Sequence, residues 1–168
     1  GRGTSSSFSV GMLNAFYALK RKYVDNKNLA DDAIYLERIL CNEQGGWQDQ
    51  IAASYGGFNR INFSGKDYEV FPIVISPERK KQLNDNLIMF FTGFTRLSSD
   101  IQKINIGNKN REKQLKEMYQ LVNEAEKILT DQSKSLDEFG KLLDYTWHLK
   151  KLTGTAVSTN YIANFYEN

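Results

Sequence analysis

The opening residues Gly1-Arg2-Gly3-Thr4-Ser5-Ser6-Ser7-Phe8 run directly into Val10, Leu13 and Phe16/Tyr17 at helical spacing, so a glycine-bearing turn must feed the start of a helix. Glycines let the backbone turn tightly and approach a ligand. The first amides of the following helix have no intrahelical partner and point outward, with the positive end of the helix dipole behind them. This junction suits a phosphate, and the neighbouring hydroxyls suit a Mg²⁺ that travels with phosphates. Glycine- and serine-rich termini also serve as linkers or tags, so partners elsewhere in the chain must decide between the two.

With 22 Lys and Arg against 20 Asp and Glu over 168 residues, the formal charge of +2 is too balanced for general attraction to nucleic acid or an anionic membrane. Phosphate recognition must therefore be local. A hydrophobic content of 40% is enough for a packed core of one or two domains. Cys41 is the one cysteine and His148 the one histidine, which excludes an internal disulfide and a structural zinc site. No apolar run approaches the roughly 20 residues of a membrane span, and a soluble, cytoplasmic protein is expected. The chain opens inside a motif, without Met and without a strand to feed the glycine turn, which predicts a piece of a longer protein.

The spacing predicts a first helix over 4–20, with Gly11, Ala15 and Ala18 as a stripe of small residues beside the apolar one. Asp25 is placed to cap a second helix, in which Leu29, Ala33, Leu36 and Leu40 form one stripe and Ala30, Ile34, Glu37 and Cys41 the next. Glu37 thereby sits beside the buried face. Gly45-Gly46 interrupts this pattern, and Trp47-Gln48-Asp49-Gln50 leads into a short helix that Gly56-Gly57 ends. Phe58 to Phe63 and Tyr68 to Ile75 read as a hairpin, with Pro72 demanding an edge or a bulge.

Ser76-Pro77 is a helix start, with Lys80-Lys81 in the last turn of a short helix, and a domain boundary is expected here. Leu87-Ile88-Met89-Phe90-Phe91 reads as a central strand followed by the loop Thr92 to Arg96. Two amphipathic helices follow over 110–130 and 135–151, expected to cover a sheet through Leu115, Met118, Val122, Ala125 and Leu129, and through Phe139, Leu142, Leu143 and Trp147. A loop and the start of another helix close the chain. The charges of Lys109 to Lys116 read as a solvated helix face.

Phosphoryl transfer needs a cradle for nucleotide phosphates, a carboxylate to hold Mg²⁺, and a carboxylate to orient or deprotonate the attacking hydroxyl. Gly1 to Ser7, Glu37 and Asp49 offer these in chain order. No Gly-Lys-Ser/Thr occurs, which excludes a Walker A loop, and the elements of a protein kinase are missing. The same residues allow plainer readings: Glu37 as a surface carboxylate at a helix edge, and Asp49 as a helix cap. Arg96, with Thr95, suits a sugar phosphate through a bidentate guanidinium, or is a solvated arginine after a strand. Trp47 suits stacking on a sugar or plain packing. His148, without a Ser or Cys partner, is a helix-face residue.

The segment GRGTSSSFSVGML resembles the second motif of the GHMP kinases, a glycine- and serine-rich loop opening a helix. GGWQDQIAASYGGFNRINF resembles the segment that carries their catalytic aspartate. The likeness is greatest to the bacterial D-glycero-D-manno-heptose 7-phosphate kinases, through TSSSF, AIYLE of Ala33 to Glu37, QDQ of Gln48 to Gln50, GGFNRI, LIMFFTGFTRLSSDI and TNYIANFYE.

The resemblance implies an α+β chain made of the latter half of the GHMP N-terminal, ATP-binding domain (1–76) and the first part of its ferredoxin-like C-terminal domain (77–168). It implies that amides of Gly1 and Gly3 to Ser7 bind the phosphates of ATP. A hydroxyl of Thr4 or Ser5 would join Glu37 in binding Mg²⁺, Asp49 would be the catalytic carboxylate, and Thr95 and Arg96 would hold substrate. The implied partners are ATP and a sugar phosphate, with no nucleic acid and no membrane. Two departures stand out. Arg2 occupies a position where such loops usually carry Leu, and the family's first motif and glycine-rich third motif are not within these residues. The 168 residues alone are therefore expected to bind ATP weakly at best and to turn over nothing.

Overall fold

A computed structural model of the chain describes residues 3–89 and 111–153. These fall into two compact units, the first of residues 3–72 and the second of 73–89 with 111–153. Gly1, Thr95 and Arg96, together with Phe90-Phe91 and the closing segment, lie outside the described residues.

In the first unit, α1 (Thr4–Leu19) is followed by α2 (Asn26–Tyr35), which continues into a π-helical turn (Leu36–Leu40), and then by α3 (Gln48–Tyr55). Asp25 caps α2 as its chemistry dictates, its side chain accepting from the Asn28 amide at 2.7 Å. Leu29 and Ala33 bury against Val10 of α1, while Ala30, one step round the helix, buries against Ile51 of α3 and Tyr68. The second helix is thus packed on two sides. Strands β1 (Asn59–Ser64) and β2 (Asp67–Pro72) form an antiparallel hairpin in which Asn59 pairs with Pro72 and Ser64 with Asp67. Pro72 is the terminal residue of a strand with no further neighbour in this two-stranded sheet, which meets the edge requirement.

The hairpin is held to α2 through Tyr68, whose hydroxyl donates to Asp31 Oδ1 at 2.9 Å and whose ring lies 4.5 Å below Lys27 Nζ. Burial, then the hydrogen bond to Asp31 and its charge, push this phenol well above the ordinary tyrosine range. Tyr17 of α1 likewise donates to Asp32 of α2 at 2.5 Å.

The expected stripes of α2 fail beyond Glu37, which is buried. Leu40 is 63% exposed and Cys41 is exposed, because the π turn inserts an i to i+5 bond, Cys41 N to Leu36 O at 2.9 Å, and rotates every later side chain out of phase.

In the second unit, α4 (Pro77–Asp85) starts where Ser76-Pro77 requires, with Ser76 Oγ accepting from the Arg79 amide at 3.1 Å. The helix runs one turn beyond Lys80-Lys81. Helices α5 (Arg111–Thr130) and α6 (Leu136–Leu152) pack on each other, with Ser135 capping α6. Leu83, Ile128, Leu129 and Leu149 are buried, whereas Leu115, Val122 and Leu143 of the expected faces are exposed. Among its described residues the second unit contains no strand. Leu87, Ile88 and Met89 take no regular structure and are exposed, so the described part of that run is not a strand. An apolar run without alternation carries no register of its own and becomes a strand only when a neighbour pairs with it.

Arg79 is buried at the end of α5, where it donates to the carbonyls of Ile128 at 2.7 Å, Lys134 at 2.8 Å, Asp131 at 3.3 Å and Leu129 at 3.4 Å. A guanidinium there satisfies carbonyls that the helix end leaves open and places a cation at the negative end of its dipole. Among the described residues no helix is long and apolar enough to cross a membrane.

Candidate active site

The start of α1 differs from those of α2, α4 and α6, which are capped by Asp25, Ser76 and Ser135. Its N-cap is Gly3 at φ 65°, which offers no side chain to the amides behind it. The first helical bond is Ser7 N to Gly3 O at 2.9 Å, so the amides of Thr4, Ser5 and Ser6 precede the ladder. No acidic residue stands in this first turn to compete for them. The turn therefore keeps an uncapped, electropositive end, as an anion cradle requires.

Asp49 faces that turn. A Cβ at Gly3 would lie 3.5 Å from Asp49 Cγ and 3.7 Å from its Oδ1, so the carboxylate stands within van der Waals reach of the turn. Asp49 is exposed, in the first turn of α3, where the helix dipole favours its charge. The N-cap position of α3 belongs to Trp47, so Asp49 is not the cap of this helix.

Glu37 is 4% exposed and belongs to the π turn. Its Oε2 accepts from Ser6 Oγ at 3.1 Å and from Gln50 Nε2 at 2.5 Å, and Arg38 Nη2 lies 3.8 Å away. Its Oε1 is buried with no hydrogen-bond partner among the described residues, and so is Gln50 Oε1. The hydroxyl that meets Glu37 is thus that of Ser6, while Thr4, Ser5 and Ser7 are exposed on the same turn.

An unpartnered carboxylate oxygen in a buried position is costly unless something else fills its bonding capacity. Mg²⁺ takes oxygen ligands, needs only one or two carboxylates, and completes its shell with water and substrate phosphates. Glu37, with the hydroxyls of the opening turn, fits such an ion. Among the described residues no group of three or more His, Cys, Asp or Glu side chains could hold a metal without such outside ligands.

Sequence reasoning missed two residues of this cluster. Gln50 is fully buried between α3 and the π turn, and Arg38 spans the next loop by donating to Gly46 O at 2.7 Å. A signal for Gln50 was present, since neighbours on a helix lie about 100° apart and an exposed Asp49 sends Gln50 inward. For Arg38 the only signal was adjacency to Glu37. Trp47 is half-buried against the cluster of Ala30, Ile51 and Tyr68, and also lines a cavity of about 350 Å³ with Gly45, Gly46, Gln48, Phe63 and Gly65. His148 is exposed on α6, with Nδ1 2.9 Å from Asp144 O.

Residues 1–57 match the family described as GHMP kinases N terminal domain. The chain is 30% identical over 171 residues to a D-glycero-alpha-D-manno-heptose 7-phosphate kinase of Campylobacter jejuni, an alignment covering 99% of this chain and 50% of that protein. It is 26% identical over 175 residues to a bifunctional fucokinase/GDP-fucose pyrophosphorylase of Arabidopsis thaliana, covering 99% of this chain and 16% of that protein. The chain thus spans about half the length of the first of these relatives and less of the second. The resemblance drawn from the residues is borne out, as is an α+β chain, with six α-helices and one hairpin among the described residues.

Proposed function

Because residues 1–57 match the GHMP kinase N-terminal family, we propose that the protein of which this chain is part is an ATP-dependent sugar kinase. The observation that carries this reading is the apposition of Asp49 with the uncapped turn at Gly3, beside a buried carboxylate with one free oxygen. In this reading one unit of the fold would supply all three requirements of phosphoryl transfer.

In this reading the amides of Gly3 to Ser6 hold the ATP phosphates and neutralise charge that builds on the transferring group, while Ser7, its amide bonded to Gly3 O, has its exposed hydroxyl to offer. Gly1 would extend the same cradle. Asp49 orients the sugar hydroxyl and accepts its proton as the hydroxyl oxygen bonds to the γ-phosphorus and the bond to the β-phosphate oxygen breaks, releasing ADP. Glu37, with a hydroxyl of the opening turn, would hold Mg²⁺, which would supply neutralisation of the phosphate charge. In the sequence the candidates for that hydroxyl are Thr4 and Ser5, and the contact with Glu37 adds Ser6 to them.

The substrate we propose is the anomeric hydroxyl of D-glycero-D-manno-heptose 7-phosphate, supported by the first relative's name and by its 30% identity over 99% of this chain. Thr95 and Arg96 are proposed to contact the substrate phosphate. A fucokinase-like substrate is the second reading, supported by the Arabidopsis relative. A kinase-derived module kept for nucleotide binding or assembly is the third, and the placement of Asp49 against Gly3 speaks for catalysis over it.

The test is ATP consumption by the full-length protein with a panel of sugars and sugar phosphates, alongside Asp49→Asn. Turnover should be fastest with the heptose phosphate and fall about 10²–10⁴-fold in the variant. Full activity of Asp49→Asn would remove the aspartate from its role. No turnover with any sugar, with ATP still bound, would favour the non-catalytic module.

A further inference from the structure

Glu37 uses its two carboxylate oxygens unequally. Ser6 Oγ, Gln50 Nε2 and the nearby Arg38 Nη2 all address Oε2, while Oε1 has no partner although the side chain is almost wholly buried. The two hydrogen-bond donors and the guanidinium come from three separate elements, α1, α3 and the π turn, and all lie on one oxygen.

We infer that Gln50 is a positioning residue that pins Glu37 by Oε2 so that Oε1 is presented, bare and fixed, to the cation that travels with ATP. The inference rests on the kinase reading above and adds to it a residue that does not itself touch substrate.

The chemistry of position 50 fits this role and fits few other side chains. An ionised carboxylate only accepts hydrogen bonds, so the amide must turn its NH₂ toward Glu37 and its own oxygen away. The buried and unpartnered Gln50 Oε1 is the direct consequence of that orientation. A glutamate here would set a second negative charge against Glu37, and a leucine would leave Oε2 with Ser6 and the longer Arg38 contact. Gln50 sits at 0% exposure beside Ile51, so its rotamer is fixed by packing and the 2.5 Å bond transmits that rigidity to Glu37. Groups that orient a metal ligand in this way typically change metal affinity by about 10–100-fold when removed.

The experiment compares the full-length wild type with Gln50→Leu and with Gln50→Met, the second keeping a flexible chain of similar volume should the first fail to fold. Mn²⁺ binding in the presence of ADP is followed by electron paramagnetic resonance, and ATP binding is measured separately in EDTA. We expect the Mn²⁺ dissociation constant to rise about 10–100-fold in both variants. ATP affinity in EDTA should stay unchanged, and turnover should recover partly as Mg²⁺ is raised. A residue that merely supports the fold would weaken ATP and metal binding together. Unchanged Mn²⁺ affinity in a folded variant, or parallel loss of both affinities, overturns the inference. Absence of Mn²⁺ and ATP binding by the wild type overturns the kinase reading itself, a result distinct from either.

Discussion

Two glycines of α1 should respond to the same substitution with opposite signs. Gly3 sits at φ 65°, a left-handed conformation that costs an L-residue about 1–2 kcal/mol. The added Cβ would stand 3.5 Å from Asp49 Cγ, an ordinary contact, so the backbone and not a clash sets the loss. Gly11 lies inside the helix with nothing within 4 Å of where its Cβ would be. Replacing it with Ala removes the entropy disadvantage of a mid-helix glycine, a gain of about 0.5–1 kcal/mol.

Urea unfolding of the full-length protein should therefore separate Gly3→Ala from Gly11→Ala by roughly 1.5–3 kcal/mol across the wild-type value. Turnover should split them further. If the sugar hydroxyl and the γ-phosphate meet between Gly3 and Asp49 as proposed, the methyl of Gly3→Ala intrudes there, and displacement of about 1 Å can lower the rate about 10²-fold. Gly11→Ala should keep full activity in the coupled ATP-consumption assay. Equal shifts of the two variants in urea would refute the left-handed turn at Gly3. A stable Gly3→Ala enzyme with wild-type turnover would refute the placement of Asp49 against it.

Arg79→Met should destabilise the second unit by about 2–4 kcal/mol, since several carbonyls at the end of α5 would lose their donor with incomplete access to water; urea unfolding monitored by far-ultraviolet circular dichroism checks this, and a loss under about 0.5 kcal/mol would contradict the buried clamp. Ser76→Ala should cost about 1 kcal/mol by removing the bond from the Arg79 amide, and Ser76→Gly less, in the same assay. Tyr68 gives a pH dependence whose sign follows from its raised pKa: its contribution is complete below the unfolded value of about 10 and is lost as pH rises through the folded value, so stability should fall in alkali. Tyr68→Phe should flatten that fall, and tyrosinate absorbance should show one phenol ionising only as the protein unfolds. An alkaline fall unchanged in the variant would remove Tyr68 as its source.

Much of this was legible because it is local. A cap needs only Asp25 or Ser76 before a helix and its own amide three residues on, so the sequence settles it without knowledge of the rest of the fold. The hairpin followed from Ser64-Gly65-Lys66-Asp67 between two alternating runs. Glu37 was placed beside the buried face by a 3.6-residue count that also placed Cys41 there, and the structure keeps the first and rejects the second. No local signature marks a π turn, because what offsets its poorer geometry is distant: Ser6 lies 31 residues before Glu37 and Gln50 lies 13 after it. Leu87 to Met89 failed for the complementary reason, since a strand needs a partner that an apolar run cannot name.

Helix α3 joins the two kinds of information. Its period sends Asp49 out toward the Gly3 turn and Gln50 in toward Glu37, so consecutive residues on one rigid segment face the two parts of the site. A shift of α3 along its axis would move both together and preserve their relation, whereas a rotation would withdraw one as it advanced the other. The contacts of Ile51 with Ala30 and Tyr68 oppose that rotation. The core of the first unit is thereby coupled to the spacing between the carboxylate at the cradle and the carboxylate beneath it. Trimming Ile51 to Val should accordingly lower turnover by more than its loss of about 0.5–1.5 kcal/mol of stability accounts for.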